Sequence, residues 1–309
     1  MLEKTAVILA KDRNSSPGQQ SLVARLLAGL EHRPELDVTV VPHLYDLAPE
    51  GPAVRFLRSI PGDMIVLAWL YPRSAYWVLE ANGVQGRLGR TSSLAEEESL
   101  EPAPPKPGRS ESPNRTLWCF DLRTHADPEP YLRQVDEIVA RCAGPTGEAE
   151  PLAAKPNGNA KVLEEATRPR WYPVLDFDRC NGCKECLNFC LFGVYSLDAQ
   201  GSILVEQPDA CRPGCPACAR ICPSGAIMFP QHKDPAIAGD PRASLQGLKL
   251  DLSQIFAGGD PASLAAEERK RALADAPDSQ PQPPATPPDA RGEKADLDKL
   301  VDRLDELDL

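Results

Sequence analysis

The sequence predicts an α/β domain built on a small parallel sheet, followed by a compact α+β domain, with poorly packing segments between and after them. Three observations predict it. Apolar runs of strand length alternate with helical patterns through the first 142 residues. Eight of the ten cysteines crowd between residues 180 and 222, in two runs each followed by a short apolar stretch. Many of the 33 prolines gather outside these regions, where a packed core is not expected.

Taken in order, Thr5–Ala10 is apolar after its first residue, as in a parallel strand covered on both faces. A loop from Lys11 to Gly18 opens a helix whose Leu22, Val23, Leu26, Leu27 and Leu30 recur at helical spacing. Residues 38–41 read as a second strand, 53–60 as a short helix and 64–70 as a third strand. Residues 92–115 carry Glu96, Glu97, Glu98 and the prolines Pro102, Pro104, Pro105, Pro107 and Pro113, with almost nothing to bury. They are expected to be a disordered insertion within a domain spanning 1–142. The pattern resumes with a fourth strand at 116–122 and an amphipathic helix at 128–142. Right-handed crossovers then place helices on both faces of the sheet.

Gly144-Pro145 and Asn157-Gly158 mark 143–168 as a linker. Beyond the cysteines, an extension at 233–274 is irregular until Asp260, which caps a helix starting at Pro261 and reaching about Ala274. Pro281, Pro283, Pro284, Pro287 and Pro288 make 275–292 an extended, semi-rigid tether. In 293–309, Leu297, Leu300, Val301, Leu304 and Leu307 share one face of an acidic helix. Four turns alone are marginal in water. The segment is therefore either a frayed tail or a peptide that folds in a partner's groove.

The first cysteine run is Cys180-x-x-Cys183-x-x-Cys186-x-x-x-Cys190, and the second is Cys211-x-x-x-Cys215-x-x-Cys218-x-x-x-Cys222-Pro223. A short loop carrying three thiolates at such spacing can wrap one iron–sulfur cube. The fourth cysteine, a helical turn further on, points the other way and completes the opposite cluster. On that rule Cys180, Cys183, Cys186 and Cys222 hold one [4Fe–4S] centre, and Cys211, Cys215, Cys218 and Cys190 the other. Structural zinc takes two cysteine pairs separated by a longer loop and has no use for a third cysteine two residues on. Disulfides between thiols this close in sequence are strained, and they need an oxidising compartment. Cys119 and Cys142 stand apart in apolar surroundings and read as buried packing residues.

Residues 171–231 resemble the bacterial-type two-cluster ferredoxins. The two runs also resemble each other: Leu191-Phe192-Gly193-Val194-Tyr195-Ser196-Leu197 follows Cys190, and Pro223-Ser224-Gly225-Ala226-Ile227-Met228-Phe229 follows Cys222. In each, a glycine three residues past the cysteine ends a short helix and a strand follows. Residues 172–177 read as the first strand, and 201–205 as another after a turn at 199–201. The resemblance implies an α+β ferredoxin-like dicluster domain at 169–232, carrying two [4Fe–4S] clusters as cofactors. Two departures stand out. Leu191 occupies the place where the family has proline, and the Cys211–Cys215 interval holds Arg212-Pro213-Gly214, one residue more than usual. Proline and glycine can absorb such an expansion.

A net charge of −11 argues against nucleic acid or an anionic membrane as partner, since no basic patch can release counterions. The apolar run at Thr5–Ala10 is too short for a signal-peptide core or a membrane span. With thiols that must stay reduced, a cytoplasmic protein with redox partner proteins is expected.

In the first domain, the Lys11–Gly18 loop lies where parallel α/β domains bind ligands, and its helix N-terminus could hold a flavin's phosphate. Ser15 or Ser16 could equally be a helix cap. There is no dinucleotide or P-loop glycine motif. The strand–helix order and Pro42-His43-Leu44-Tyr45-Asp46-Leu47 resemble the small tetrapyrrole chelatases. That family has a histidine after its first strand, where this chain has Lys11 or Asp12, so no catalytic residue carries over. His32, His43, His125 and His232 read as surface or capping residues, and Tyr71-Pro72-Arg73-Ser74 as a loop at the functional edge of the sheet. No self-contained catalytic constellation is visible. The chain therefore reads as an electron carrier or electron-transfer subunit with no catalytic residues of its own. The alternatives are an enzyme whose first domain binds a flavin or small substrate and is fed by the clusters, and a redox-sensing adaptor.

Overall fold

The computed structural model describes residues 4–91, 115–142 and 160–243. Most of the 92–115 insertion, the first part of the 143–168 linker, and the helix, tether and terminal helix read beyond residue 243 lie outside the described residues.

Strands β1 (Thr5–Ala10), β2 (Leu36–Val41), β3 (Met64–Ala68), β4 (Arg87–Leu88), β5 (Thr116–Asp121) and β6 (Lys161–Val162) form one parallel sheet in the order β4-β5-β3-β1-β2-β6. The central strands are apolar because both faces are covered, and their residues alternate between two cores. Val7 and Leu9 of β1 meet Leu22, Leu26 and Leu30 of α1 (Pro17–Glu31) and Leu132, Val135 and Ile138 of α4 (Glu129–Cys142). Ala6, Ile8 and Ala10 face Val54 and Leu57 of α2 (Pro52–Ser59) and Ala75 and Val78 of α3 (Pro72–Ala81). The chain moves from β1 to β2 on one side and returns to β3 on the other, so the strand order reverses between β1 and β3.

Helix α3 corrects the expected loop at residues 71–74. Pro72 is preorganised for the first helical position, and every residue from Pro72 to Leu79 is buried. A helix covered all round has no amphipathic period to read. Part of the expected linker is also structured. Lys161 and Val162 extend the sheet beside β2, and the Glu165 carboxylate accepts the Ala53 amide at 3.2 Å near the start of α2.

The cysteine-rich segment contains two antiparallel pairs, β7 (Val174–Leu175) with β10 (Ile227–Met228) and β8 (Tyr195–Leu197) with β9 (Ile203–Val205). Two five-residue helices, α5 (Glu185–Phe189) and α6 (Ala217–Ile221), end at Cys190 and Cys222. The internal likeness of the two cysteine runs is thus matched in their local structure. A final turn of helix, α7 (Pro235–Ala238), interrupts the stretch expected to be irregular.

The two parts share a core rather than a flexible joint. Tyr172, Val174 and Met228 belong to the same apolar cluster as α2 and α3. Tyr45 stacks on Tyr172 with ring centroids 4.2 Å apart, and its buried hydroxyl donates to the Tyr172 carbonyl while accepting the Tyr172 amide at 2.7 Å. Trp77 of α3 meets Phe177 at 5.8 Å.

Candidate metal centre

The eight clustered cysteines sit on loops and short helix ends. Asp176 shapes the approach to the first run: its Oδ1 accepts the amides of Asp178 at 2.9 Å and Arg179 at 3.0 Å, and its carbonyl accepts the Cys180 amide at 3.0 Å. Between Cys183 and Cys186 the chain curls through Lys184, which holds a left-handed φ of 66°. That conformation costs an L-residue about 1–2 kcal/mol, and a β-branched side chain suits it least. Lys184→Gly is therefore expected to keep the loop intact, and Lys184→Val to loosen it, measured as the iron each variant retains after anaerobic purification.

In the second run the extra residue is taken up by a turn. The Cys215 amide donates to the Arg212 carbonyl at 3.1 Å, with Pro213 and Gly214 in the middle and Gly214 at φ 78°. Proline followed by a left-handed glycine is what such a turn requires.

The thiols sort into two groups by neighbourhood: Cys222, Cys180 and Cys183 lie within electrostatic reach of Cys186, and Cys211, Cys215 and Cys190 within reach of Cys218. Cys190, Cys211, Cys215 and Cys218 line one cavity, walled otherwise by apolar side chains including Phe189, Phe192, Val194 and Tyr195. Among the described residues none of these cysteines is disulfide-bonded, and no three metal-ligating side chains converge on a single-ion site. The second group surrounds a shared space, a donor set that suits a cube with thiolates at separate corners.

Exposure differs around each group. Cys183 is exposed, Cys180, Cys190 and Cys215 are half-buried, and Cys186, Cys211, Cys218 and Cys222 are buried. Burial pushes the thiols of Cys186 and Cys211 up to about 12, and raises that of Cys218 well above its ordinary value. Such thiols become thiolates only beside a strong positive charge, as a bound metal provides.

Comparison with known proteins bears directly on this segment. The chain is 41% identical over 66 residues to an uncharacterized ferredoxin of Methanocaldococcus jannaschii, a match covering 21% of this chain and 44% of that protein. It is 33% identical over 70 residues to the pyruvate synthase subunit PorD of the same organism, covering 23% of this chain and 79% of the subunit. It is 32% identical over 72 residues to Ferredoxin-3 of a Nostoc species, covering 18% of this chain and 73% of that protein. The chain belongs to the ferredoxins. The membership rests on about a fifth of its length, a ferredoxin-type iron–sulfur domain within a larger protein. No family model matches the chain, and no solved structure does.

Several residues that position the ferredoxin domain's thiols have no signature in the sequence. Trp171 stacks on Phe229 at 5.1 Å and donates its indole N–H to the Cys215 carbonyl at 3.2 Å. The fully buried Tyr195 hydroxyl faces the Cys218 sulfur. Burial beside that sulfur pushes the phenol well above its ordinary value, so it stays protonated and can donate.

The other expectations divide. Cys119 is buried, and desolvation pushes its thiol up to about 12, whereas Cys142 is exposed at the end of α4, 3.5 Å from Asp63. His43 is a correction: it is buried, with Nε2 3.1 Å from Gln231, and burial lowers its pKa to about 4. In the Lys11–Gly18 loop the cap reading describes what is seen. Ser16 accepts the Gln19 amide at 3.3 Å, and the Gln19 side chain accepts the Ser16 amide at 2.7 Å. Arg13 turns inward to pair with Asp46. Among the described residues no helix is long and apolar enough to cross a membrane.

Proposed function

We propose that this chain is an electron carrier whose ferredoxin domain holds two [4Fe–4S] clusters and passes single electrons between protein partners. Cys180, Cys183, Cys186 and Cys222 hold one cluster, and Cys211, Cys215, Cys218 and Cys190 hold the other. The observation that supports this reading is the cavity that Cys190 lines together with Cys211, Cys215 and Cys218, a fourth cysteine of one run beside the first three of the other, as two-cluster ferredoxins require. When bound, the clusters supply reversible one-electron chemistry. The protein's own residues exclude water with Phe189, Phe192 and Val194, leave the first group open to solvent at Cys183, and aim the Tyr195 hydroxyl at a ligating sulfur. Hydrogen bonds to cluster sulfurs and burial are the levers that set such potentials. Reduced thiols fit a cytoplasmic setting, and the net charge of −11 fits protein rather than nucleic-acid or membrane partners.

Anaerobically purified protein is expected to hold about eight irons with matching acid-labile sulfide, four per cluster. After reduction its spectrum should carry the signature of two interacting spins. Zinc in their place, or iron for one cluster alone, overturns the reading.

A second reading, in which the α/β domain binds a flavin or small substrate fed by the clusters, draws on one contact chain. Trp171, bonded to the Cys215 carbonyl, adjoins Tyr172, which stacks on Tyr45, and the Arg13 guanidinium lies over the Tyr45 ring at the carboxyl edge of the sheet. Release of a yellow chromophore on denaturation would favour it.

A further inference from the structure

The two-cluster reading leaves open why an α/β domain is fused so closely to a ferredoxin domain. Helix α3 leaves the carboxyl edge of β3 and presents Arg73 in its first turn, 4% exposed. Its Nε donates to Asp176 Oδ2 at 2.6 Å, and its Nη2 donates to the Gly225 carbonyl at 2.9 Å. These two acceptors lie where the chain enters and leaves the first thiol group. Asp176 makes the turn that delivers Cys180, as its three further bonds to Asp178, Arg179 and Cys180 attest. Gly225 lies three residues beyond Cys222, and its amide donates to the Cys222 carbonyl at 3.2 Å. The neighbouring Ala226 joins the same knot: its carbonyl accepts the Asp176 amide at 2.8 Å, and its own amide lies 3.3 Å from the Cys222 sulfur. One guanidinium from the α/β domain therefore spans the ends of two segments that are distant in sequence and must converge for Cys180 and Cys222 to meet.

We infer that Arg73 is a positioning residue for the first cluster. Through it the α/β domain holds Cys180 and Cys222 in register and balances the Asp176 charge beside them, so this domain sets the retention and the potential of one cluster and not of the other. The inference rests on the two-cluster reading. A planar, always-charged fork suits the task, because it bonds two acceptors in fixed directions while lysine offers only a point charge. Simple docking is the competing account, and a buried ion pair is weak support for stability alone. Docking would affect both clusters alike, since they share one small domain.

The test uses the full chain with Arg73→Gln, Arg73→Lys and Asp176→Asn, purified anaerobically. Loss of iron to a chelator and the reduction potential are followed for each cluster separately. Removing an outer-shell partner typically costs 10–100-fold in metal affinity. Arg73→Gln is expected to speed loss of the first cluster's iron by about tenfold. It should also lower that cluster's potential by leaving Asp176 balanced only by the more distant Arg179 at 3.8 Å, with the second cluster unchanged. Arg73→Lys should restore the potential more than the retention. Asp176→Asn keeps an acceptor for the turn and removes the negative charge, so it should shift the first potential upward, and it stands as the test if Arg73→Gln does not fold. Equal effects on both clusters, or none in folded protein, overturn the inference while leaving the two-cluster reading standing. A wild-type chain without two clusters overturns both.

Discussion

Replacing Cys222 with alanine is expected to remove the cluster served by Cys180, Cys183 and Cys186 and to spare the one served by the run that contains it. Iron should fall from about eight to about four per chain. The reason is the proposed exchange of fourth members. Cys222 ends α6, which also carries Cys218, yet on the proposed ligand sets it serves the first run's cluster. Cys190→Ala should act in the opposite sense, removing the cluster held by Cys211, Cys215 and Cys218. Site-resolved spectra of the reduced variants distinguish the cases. Each mutation acting only on its own run would reject the crossed arrangement and the ligand sets with it. The surviving cluster also serves as an internal control, since a variant that lost its fold would lose both.

The ferredoxin domain was legible because its information is local. Ligand spacing, a glycine three residues past each fourth cysteine, and proline with glycine at the expanded turn are all read within a few residues of one another. The apolar runs of β1, β3 and β5 were legible for a similar reason: strands covered on both faces carry almost nothing polar. What has no local signature depends on long-range contact. Helix α3 is enclosed on every side, so its period vanished, and β4 and β6 are two residues long and exist only through their partners. Arg73 and Asp176 lie 103 positions apart, and no local pattern pairs them. His43 looks like an ordinary loop histidine until Gln231, 188 positions later, closes over it.

The joint between the two domains has one point where a single methyl group should be felt strongly. Gly239 ends α7 at φ 100°, a conformation costing other residues about 1–2 kcal/mol. A Cβ there would also run into the Ser74 hydroxyl of α3 and lie 2.7 Å from the Met228 sulfur of β10. Neither can retreat freely. The Ser74 hydroxyl donates to the Ala238 carbonyl at 2.5 Å, and Met228 is fully buried in the core that both domains share. Overpacking of this kind costs about 1–3 kcal/mol. Gly239→Ala is therefore expected to destabilise the protein by about 3 kcal/mol in total. Gly201→Ala supplies the comparison, since Gly201 is also left-handed, at φ 79°, but its Cβ would meet nothing nearer than the Lys184 amine at 3.9 Å. It should lose only the backbone part, about 1–2 kcal/mol. Denaturant midpoints of the two anaerobic variants, recorded by tryptophan fluorescence, separate the contributions. Equal losses would mean that α7 can lift from Ser74 and Met228 at little cost, and that the interface is held mainly at Arg73, Tyr45 and Trp77.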